Sequence, residues 1–407
     1  MALLELILLF AVARVFGELA ERVKIPALIG EITAGILLGP LVLRWIVPSD
    51  PIKLIADLGV FFIVYAAGME MTFRGVRRII KESGASVAAG SFTLPFLLGF
   101  LVGLGFGYDA RVALFFGLAV SLTALPVSVR ILSEMGWVNT DVGQTIITAG
   151  LLCDIAGLSV LGVITNWDAL TSGDLSVTAI VVAKILAFFG AVFVAERVLS
   201  AREAWLSKRL VAGSHRLLSR GAAFSAPLLL VFGFSVLAES LGLHFVIGTF
   251  FGAVIVAEHV FPPHEGERLR ASIGAIADGF LAPIFFAYLG LVAVTLDPAL
   301  SWLWAVLLSV AAFGKIAGSY VGARFGGFQS WSASLIAVGM NGRGAMELVI
   351  ALVALELGII PGNLFSIFVL LGLVTTLMTP FALRKLASLA RDRGESTTTP
   401  SEPEGAS

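Results

Sequence analysis

The sequence has few charged residues. Asp, Glu, Lys and Arg make up 14% of its 407 residues, whereas soluble domains carry about 25% charged residues. Hydrophobic residues reach 58%, and the mean hydropathy is +0.99. This excess of apolar side chains excludes a water-soluble fold and predicts an all-α polytopic protein embedded in the lipid bilayer.

Cysteine and histidine are also scarce, and neither sign of charge is in large excess. The formal net charge of −1 excludes the basic surface that nucleic-acid binding requires. The single cysteine, Cys153, excludes an internal disulfide, and the four histidines are too scattered for a Cys/His zinc site. We therefore expect no nucleic-acid partner and no cofactor.

The first apolar run begins at Leu3 without a preceding basic stretch, so we interpret it as a retained helix and not as a signal peptide.

Apolar runs of membrane-spanning length follow one another along the chain to about residue 388. They predict about thirteen transmembrane helices in a single domain, residues 1–389. The remaining residues, 390–407, are rich in Ser, Thr, Pro and Glu, so we expect a disordered tail there. The predicted spans lie near residues 2–19, 26–43, 52–70, 85–104, 110–133, 143–164, 175–196, 220–241, 244–258, 271–294, 300–323, 331–354 and 362–385.

Basic residues predict the orientation of these spans. With the N-terminus outside, most of the 27 Lys and Arg residues fall on the cytoplasmic side, and only Arg44, Lys53 and Arg111 fall on the outer side. Positive residues concentrate on the cytoplasmic side of membrane proteins. We therefore expect a multi-pass protein of the cytoplasmic membrane, with its N-terminus outside and its tail in the cytoplasm.

Two of the predicted spans are interrupted. The fifth is interrupted from Thr123 to Pro126, where the proline removes a backbone donor and disfavours helical geometry at the residue before it. The twelfth is interrupted from Asn341 to Gly344. Either break alone is compatible with an ordinary kink, but paired breaks in the two halves of a chain point to the binding site of a secondary transporter. Freed carbonyls and the Thr123 hydroxyl are oxygen ligands suited to an alkali cation.

Asp154 lies in the middle of the sixth span. An ionised carboxylate at that depth costs roughly 2.5–3.5 kcal/mol on insertion scales, so it is rarely accepted without a use. Small residues on neighbouring turns allow another backbone to come close to it. A desolvated carboxylate can hold either a proton or a monovalent cation. We favour this role over a structural aspartate held in an ion pair inside the helix bundle.

Lys315 lies in a span whose glycines, Gly314, Gly318 and Gly322, repeat every four residues and line one helix face. Such a face favours close helix packing. A lysine at this depth should pair with a carboxylate or lose its proton, so we expect Asp154 to be its partner. A lysine that snorkels to an interface is the alternative.

Further charges lie within the predicted spans. Arg343 and Glu347 are four residues apart, so they are predicted to neutralise each other on one helix. Lys184 has no partner within its own span, and nothing in the sequence explains it.

Long, ordered motifs cover nearly the whole membrane region. They are IPALIGEITAGILLGP (25–40), AAGMEM (66–71), SLTALPVSVRILSEMG (121–136), LLCDIAGL (151–158), GKIAGSYVGAR (314–324) and MNGRGAMELVIA (340–351). Together they resemble the monovalent cation:proton antiporter-2 family. This family contains bacterial Na⁺/H⁺ antiporters, Kef-type potassium systems and plant cation/H⁺ exchangers.

The resemblance implies a fold of inverted repeats with two crossed broken helices, at the two interruptions described above. It implies a homodimer in which a mobile core, with helices at about 85–164 and 300–385, moves against a rigid dimerisation domain by elevator-like alternating access. Carried over by motif, Asp154 is the ion-binding aspartate and Lys315 the basic residue of the core. Electrogenic members carry two adjacent aspartates, but here Cys153 occupies the first position.

We therefore expect a secondary antiporter, not an enzyme, that exchanges Na⁺ or K⁺ for protons at Asp154 and Thr123. Pro126, Asn341 and Arg343 should lie beside the site, together with Cys153. One carboxylate trades one proton for one cation, which makes the exchange electroneutral if Lys315 keeps its proton. Release of that proton is the alternative, and it would move two protons per cation.

Two other function classes are weighed against antiport. A Na⁺-coupled organic-anion symporter with a similar crossed-helix fold should have an enlarged polar cavity, which the apolar neighbours of Asp154 do not suggest. An intramembrane aspartyl hydrolase needs two catalytic carboxylates, and no second aspartate stands beside Asp154 in the sequence.

Overall fold

The chain folds into helices, as a computed structural model of the protein shows. All the elements assigned within the described part of the chain are helical, so the predicted all-α class is confirmed. The structure describes residues 2–70, 84–123, 128, 132, 135, 137, 138, 140–216, 222–259, 263–293 and 298–392.

The described residues form seventeen α-helices, which are numbered in chain order, and π-helical turns at Ala277–Leu281 and Val310–Gly314 join two pairs of them. They are α1 (Ala2–Arg22), α2 (Ala27–Leu38), α3 (Asp50–Met69), α4 (Gly84–Gly105), α5 (Ala110–Ser121), α6 (Asp141–Thr165), α7 (Trp167–Leu170), α8 (Leu175–Arg216), α9 (Ala222–Ser240), α10 (Phe245–His259), α11 (Pro263–Ile276), α12 (Ala282–Val292), α13 (Ser301–Ser309), α14 (Lys315–Phe325), α15 (Ser330–Gly339), α16 (Ala345–Glu356) and α17 (Gly362–Asp392).

Seven helical segments of the described chain are long and apolar enough to cross a membrane, and shorter apolar helices lie between them. The long segments are Asp50–Met69, Gly84–Gly105, Asp141–Thr165, Leu175–Ser200, Gly266–Val292, Ser301–Phe325 and Gly362–Leu386. The polytopic class is thus confirmed, whereas the count of thirteen spans stays a prediction. The helix α8 continues to Arg216, whereas the apolar span within it ends at Ser200, close to the predicted end near residue 196.

The chain divides into two compact units. The first consists of Met1–Phe16, Glu31–Val76 and Leu161–Leu291, and the second of Gly17–Gly30, Arg77–Val160 and Val292–Ser407. In the first unit, buried aromatic residues of α3, among them Phe61 and Tyr65, pack with Val231 and Ile273. In the second unit, a separate apolar cluster includes Ile146 of α6 and Ile336 of α15.

Glycine allows α4 and α14 to approach closely in the second unit. A Cβ built on Gly318 would overlap the carbonyl oxygen of Gly90, and one on Gly322 would overlap that of Ser86. Small residues spaced four apart permit this backbone contact between membrane helices. The glycine-lined face predicted around Lys315 therefore packs against α4.

Replacing Gly318 with alanine is expected to destabilise the second unit. The new methyl group would force α4 and α14 apart, and overpacking of this kind costs typically about 1–3 kcal/mol. The measurement is thermal unfolding of the purified protein in detergent, compared with Gly190→Ala. A Cβ on Gly190 of α8 meets nothing within 4 Å, so that variant should match the parent. Equal melting temperatures for the two variants would show that the close approach is unimportant.

Candidate functional site

Asp154 lies in the middle of α6 and is 4% exposed. Two contacts of α6 locate the carboxylate within the second unit. One turn after it, Gly157 lies against the side chain of Leu122, directly after α5. Two turns before it, the Ile146 side chain lies against Gly339, where a Cβ would be 2.6 Å from Ile146 Cδ1. Asp154 therefore sits between the end of α5 and the end of α15.

The first predicted break begins where α5 ends. Asp109 starts this helix by accepting hydrogen bonds from the amides of Arg111 (2.8 Å) and Val112 (3.0 Å). The helix ends at Ser121, and Leu122 is extended with φ −69° and ψ 160°. Pro126 lies outside the described residues.

Thr123 follows directly and is 3% exposed, and its Oγ1 is buried without a hydrogen-bond partner. The oxygen of such a buried hydroxyl is available to coordinate a cation. The sequence singled out Thr123 for its oxygen, and the structure places that oxygen inside the second unit.

The second predicted break is present between α15 and α16. α15 ends at Gly339, and α16 begins at Ala345 after an extended Gly344 with φ −165°. Asn341 and Arg343 lie in this interval, and both are buried, at 5% and 1% exposure. Non-helical backbone at membrane depth is tolerated only where it is enclosed by protein or lines a water-filled cavity.

Two buried cations contact the carbonyl end of α5. The Arg343 guanidinium donates hydrogen bonds to the carbonyls of Ala119 and Val120, and the Lys315 ammonium donates one to Ser121. The last carbonyls of a helix have no intrahelical partner and carry partial negative charge. These side chains therefore satisfy the acceptors that α5 leaves inside the protein.

Arg343 also joins three other helical segments. Its Nη1 lies 3.2 Å from Glu347 Oε1 on the first turn of α16, and its Nη2 donates to the Ala311 carbonyl at 3.5 Å. The Thr376 hydroxyl of α17 donates to the Arg343 carbonyl. The predicted pairing of Arg343 with Glu347 is thus confirmed, but the two residues do not share a helix, because Arg343 lies in the break before α16. Thr376 and Ala311 were not identified from the sequence, since nothing local marks them as partners of a distant arginine.

Lys315 has a different direct contact from the one predicted. Its hydrogen bond goes to the backbone of Ser121, not to the Asp154 carboxylate. Asp154 and Glu347 are nevertheless close enough to interact with it electrostatically. The role of Lys315 as charge partner of Asp154 stays a prediction.

Cys153 contacts α4. Its Sγ lies 3.2 Å from Ser91 Oγ and donates to the Ala88 carbonyl at 3.8 Å. Ser91 was not identified from the sequence, because one serine in an apolar helix carries no motif. The position that holds an aspartate in electrogenic members of the resembled family therefore holds a buried thiol with neutral partners.

Nearly the whole chain is similar in sequence to known proteins. The family model described as "Sodium/hydrogen exchanger, transmembrane" matches residues 6–388. The chain is 31% identical to the probable Na⁺/H⁺ antiporter GerT of Bacillus cereus, over 94% of this chain and 98% of that protein. It is 28% identical to the Na⁺/H⁺-K⁺ antiporter GerN of Bacillus cereus, over 93% and 95% of the two chains.

A solved structure shares the fold. The sodium proton antiporter MjNhaP1 from Methanocaldococcus jannaschii superposes with a TM-score of 0.68 at 16% identity, covering 96% of this chain and 97% of that chain. The similarity extends over both units and is a similarity of fold.

The substitution Arg343→Met is expected to destabilise the second unit strongly. It leaves the Glu347 carboxylate buried without its cation and removes donors from the end of α5, and breaking a buried pair costs about 3–5 kcal/mol. Thermal unfolding in detergent measures the loss. Adding Glu347→Gln should recover part of it, because the uncompensated charge is then absent.

The matched control is Arg22→Met. Arg22 lies 3.5 Å from Glu18 with the same spacing along a helix, but both side chains are exposed, so the loss should stay below about 1 kcal/mol. Similar losses at Arg22 and Arg343, or no recovery from Glu347→Gln, would contradict the assigned role of Arg343.

Proposed function

Because the chain belongs to the sodium/hydrogen exchanger family, we propose that it is a secondary antiporter that exchanges Na⁺ or K⁺ for protons across the cell membrane. The family model spans residues 6–388, and relatives that match nearly end to end are named as Na⁺/H⁺ or Na⁺/H⁺-K⁺ antiporters. The resemblance noted in the motifs is thereby confirmed. The observation that carries the proposal is one buried carboxylate, Asp154, located between two broken helices.

Asp154 is the group that alternates between a proton and a cation. In an apolar environment, binding of a proton or of a cation neutralises the charge of a carboxylate. The proton and the cation therefore compete for the same carboxylate. Thr123 Oγ1 and the backbone carbonyls after α5 add neutral oxygen ligands. Hard oxygen ligands suit an alkali cation, and their number and geometry set the selectivity among such cations.

The buried charges support an electroneutral cycle. Among its described residues, the second unit buries two cationic side chains, Arg343 and Lys315, and two carboxylates, Asp154 and Glu347. Their formal charges cancel when all four are ionised. Loading Asp154 with H⁺ or with Na⁺ then gives the same net charge, one positive, so the exchange of one ion for the other moves no net charge.

We further propose that only the loaded forms of the second unit move, in an elevator-like alternation of access to the two sides. Arg343, Lys315, Asp154 and Glu347 all belong to that unit, so one displacement would carry the ion together with these fixed charges. A homodimer, with the N-terminus outside and the C-terminal residues in the cytoplasm, completes the proposal. It rests on the family resemblance and on the distribution of basic residues.

Asp154→Asn should abolish cation-dependent proton movement and leave the protein folded. The amide keeps the volume of the side chain but holds neither a proton nor a cation as a charged ligand. Proteoliposomes containing a pH-sensitive dye measure the exchange when Na⁺, K⁺ or Li⁺ is added in turn. Asp141→Asn is the matched control, because Asp141 lies on the exposed first turn of the same helix. Normal exchange by folded Asp154→Asn protein would refute the assignment of Asp154 as the ion-binding residue. Na⁺-driven uptake of an organic anion by the parent protein, without counter-movement of protons, would favour the symporter.

The exchange should be insensitive to membrane potential. In liposomes with imposed ion gradients and a controlled proton leak, the gradient ratio at which flux reverses should stay constant when a potassium diffusion potential is applied. A Nernstian shift of that point would show that charge moves. If Lys315→Gln then lost the shift, the second proton would be assigned to Lys315.

A further inference from the structure

The two helix breaks pass each other in opposite directions. At one end, the Ser128 hydroxyl donates to the Gly339 carbonyl at 2.7 Å. At the other end, Arg343 donates to the last carbonyls of α5, before Thr123. As residue numbers rise along the first break, they fall along the second. Asn341 is midway between Gly339 and Arg343 in the second break, so it lies between these two contacts.

The α6 helix brackets the same place independently. Ile146 lies against Gly339, and Gly157 lies against Leu122. Asp154 is three residues from Gly157, which is about 4.5 Å along a helix axis. The carboxylate therefore lies in the interval that the two contacts define, as do Thr123 and Asn341.

The oxygen atoms in this interval are not used by the fold. Thr123 Oγ1 and Asn341 Oδ1 are both buried without a hydrogen-bond partner. Leaving such an atom unsatisfied costs about 1–3 kcal/mol, so buried polar atoms of this kind are usually satisfied by something else. Asn341 is not a helix cap, because Gly344 is the N-cap of α16 and that helix has no side-chain cap.

We propose that the side-chain oxygen of Asn341 is a further cation ligand, opposite Thr123, and that it helps to determine which alkali cation is carried. This inference rests on the proposed antiport function. A carboxamide oxygen is a neutral, hard ligand, so it completes the coordination of a cation on Asp154 without adding charge. Because Asn341 is in the second break, the cation would link the two crossed segments when it binds.

The test compares Asn341→Ala with a matched Asn363→Ala variant. Asn363 lies at the start of α17, where its Oδ1 accepts a hydrogen bond from the Leu364 amide at 2.9 Å, so its removal should not change cation affinity. Asn341→Ala should raise the apparent KM for the preferred cation about tenfold, as the loss of one ligand to a charge implies. Vmax should change less than about twofold. The order of preference among Li⁺, Na⁺ and K⁺ should also change.

Binding without transport gives a second readout. The melting temperature of purified protein in NaCl, relative to choline chloride, should rise less in Asn341→Ala than in the parent, because a ligand stabilises the state that binds it. Thr123→Val should show the same two effects. If Asn341→Ala does not fold, Asn341→Asp replaces it. That variant keeps an oxygen ligand and adds a titratable group, so it should bind the cation and become sensitive to membrane potential.

The outcomes separate this inference from the proposed function. If Asp154→Asn abolishes exchange while Asn341→Ala keeps the parental KM and ion preference, antiport stands and Asn341 is not a ligand. Asn341 is likewise not a ligand if Asn341→Asp is electroneutral with unchanged affinity. If the parent protein shows no cation-dependent proton movement, the proposed function itself fails.

Discussion

Two buried cations hold the carbonyl end of α5, and the geometry of the site depends on them. A helix that ends inside a protein leaves acceptors that need donors, and each buried acceptor left unsatisfied costs about 1–3 kcal/mol. Arg343 and Lys315 supply those donors and also offset the partial negative charge of the helix end. The backbone can then leave the helix at Leu122 and place Thr123 in the interval where Asp154 lies. Without the two cations, a helix end at this depth would be strongly unfavourable.

Both cations are placed by irregular backbone. Arg343 lies within the break between α15 and α16, and Lys315 directly follows the π-helical turn Val310–Gly314. A π-helical turn interrupts the regular hydrogen bonding of an α-helix and is frequent at functional sites. Here the Ala311 carbonyl of that turn accepts a hydrogen bond from Arg343. Irregular backbone in three helical segments is therefore linked by hydrogen bonds between those segments. These hydrogen bonds explain how one compact unit accommodates all three irregular segments.

The sequence was sufficient for the features that follow from local chemistry. Apolar length predicted the helices, and polar or proline interruptions predicted where two of them break. A carboxylate in an apolar run identified Asp154. Long-range partners could not be predicted, because Thr376 and Ser91 are ordinary residues of apolar helices until the fold brings them to Arg343 and Cys153. The direct contact of Lys315 was missed for a related reason. Charge alone suggests a carboxylate as the partner of a buried lysine. The partner here is a backbone carbonyl at a buried helix end, and no residue type in the sequence indicates such a carbonyl.

The charge balance of the second unit explains why neutral ligands matter at this site. A carboxylate at position 153 would make the empty site negative and would add a second place for a proton. Cys153 instead interacts with Ser91 and the backbone of α4, and it contributes no oxygen ligand. In the proposed site, the remaining coordination comes from hydroxyl, amide and carbonyl oxygens around Asp154. Such neutral ligands bind a cation through their dipoles. These dipoles carry no net charge, whether the site holds the cation or a proton. In the proposed cycle, the electric field at the site therefore changes only with the bound ion, and a proton and a monovalent cation are electrically equivalent.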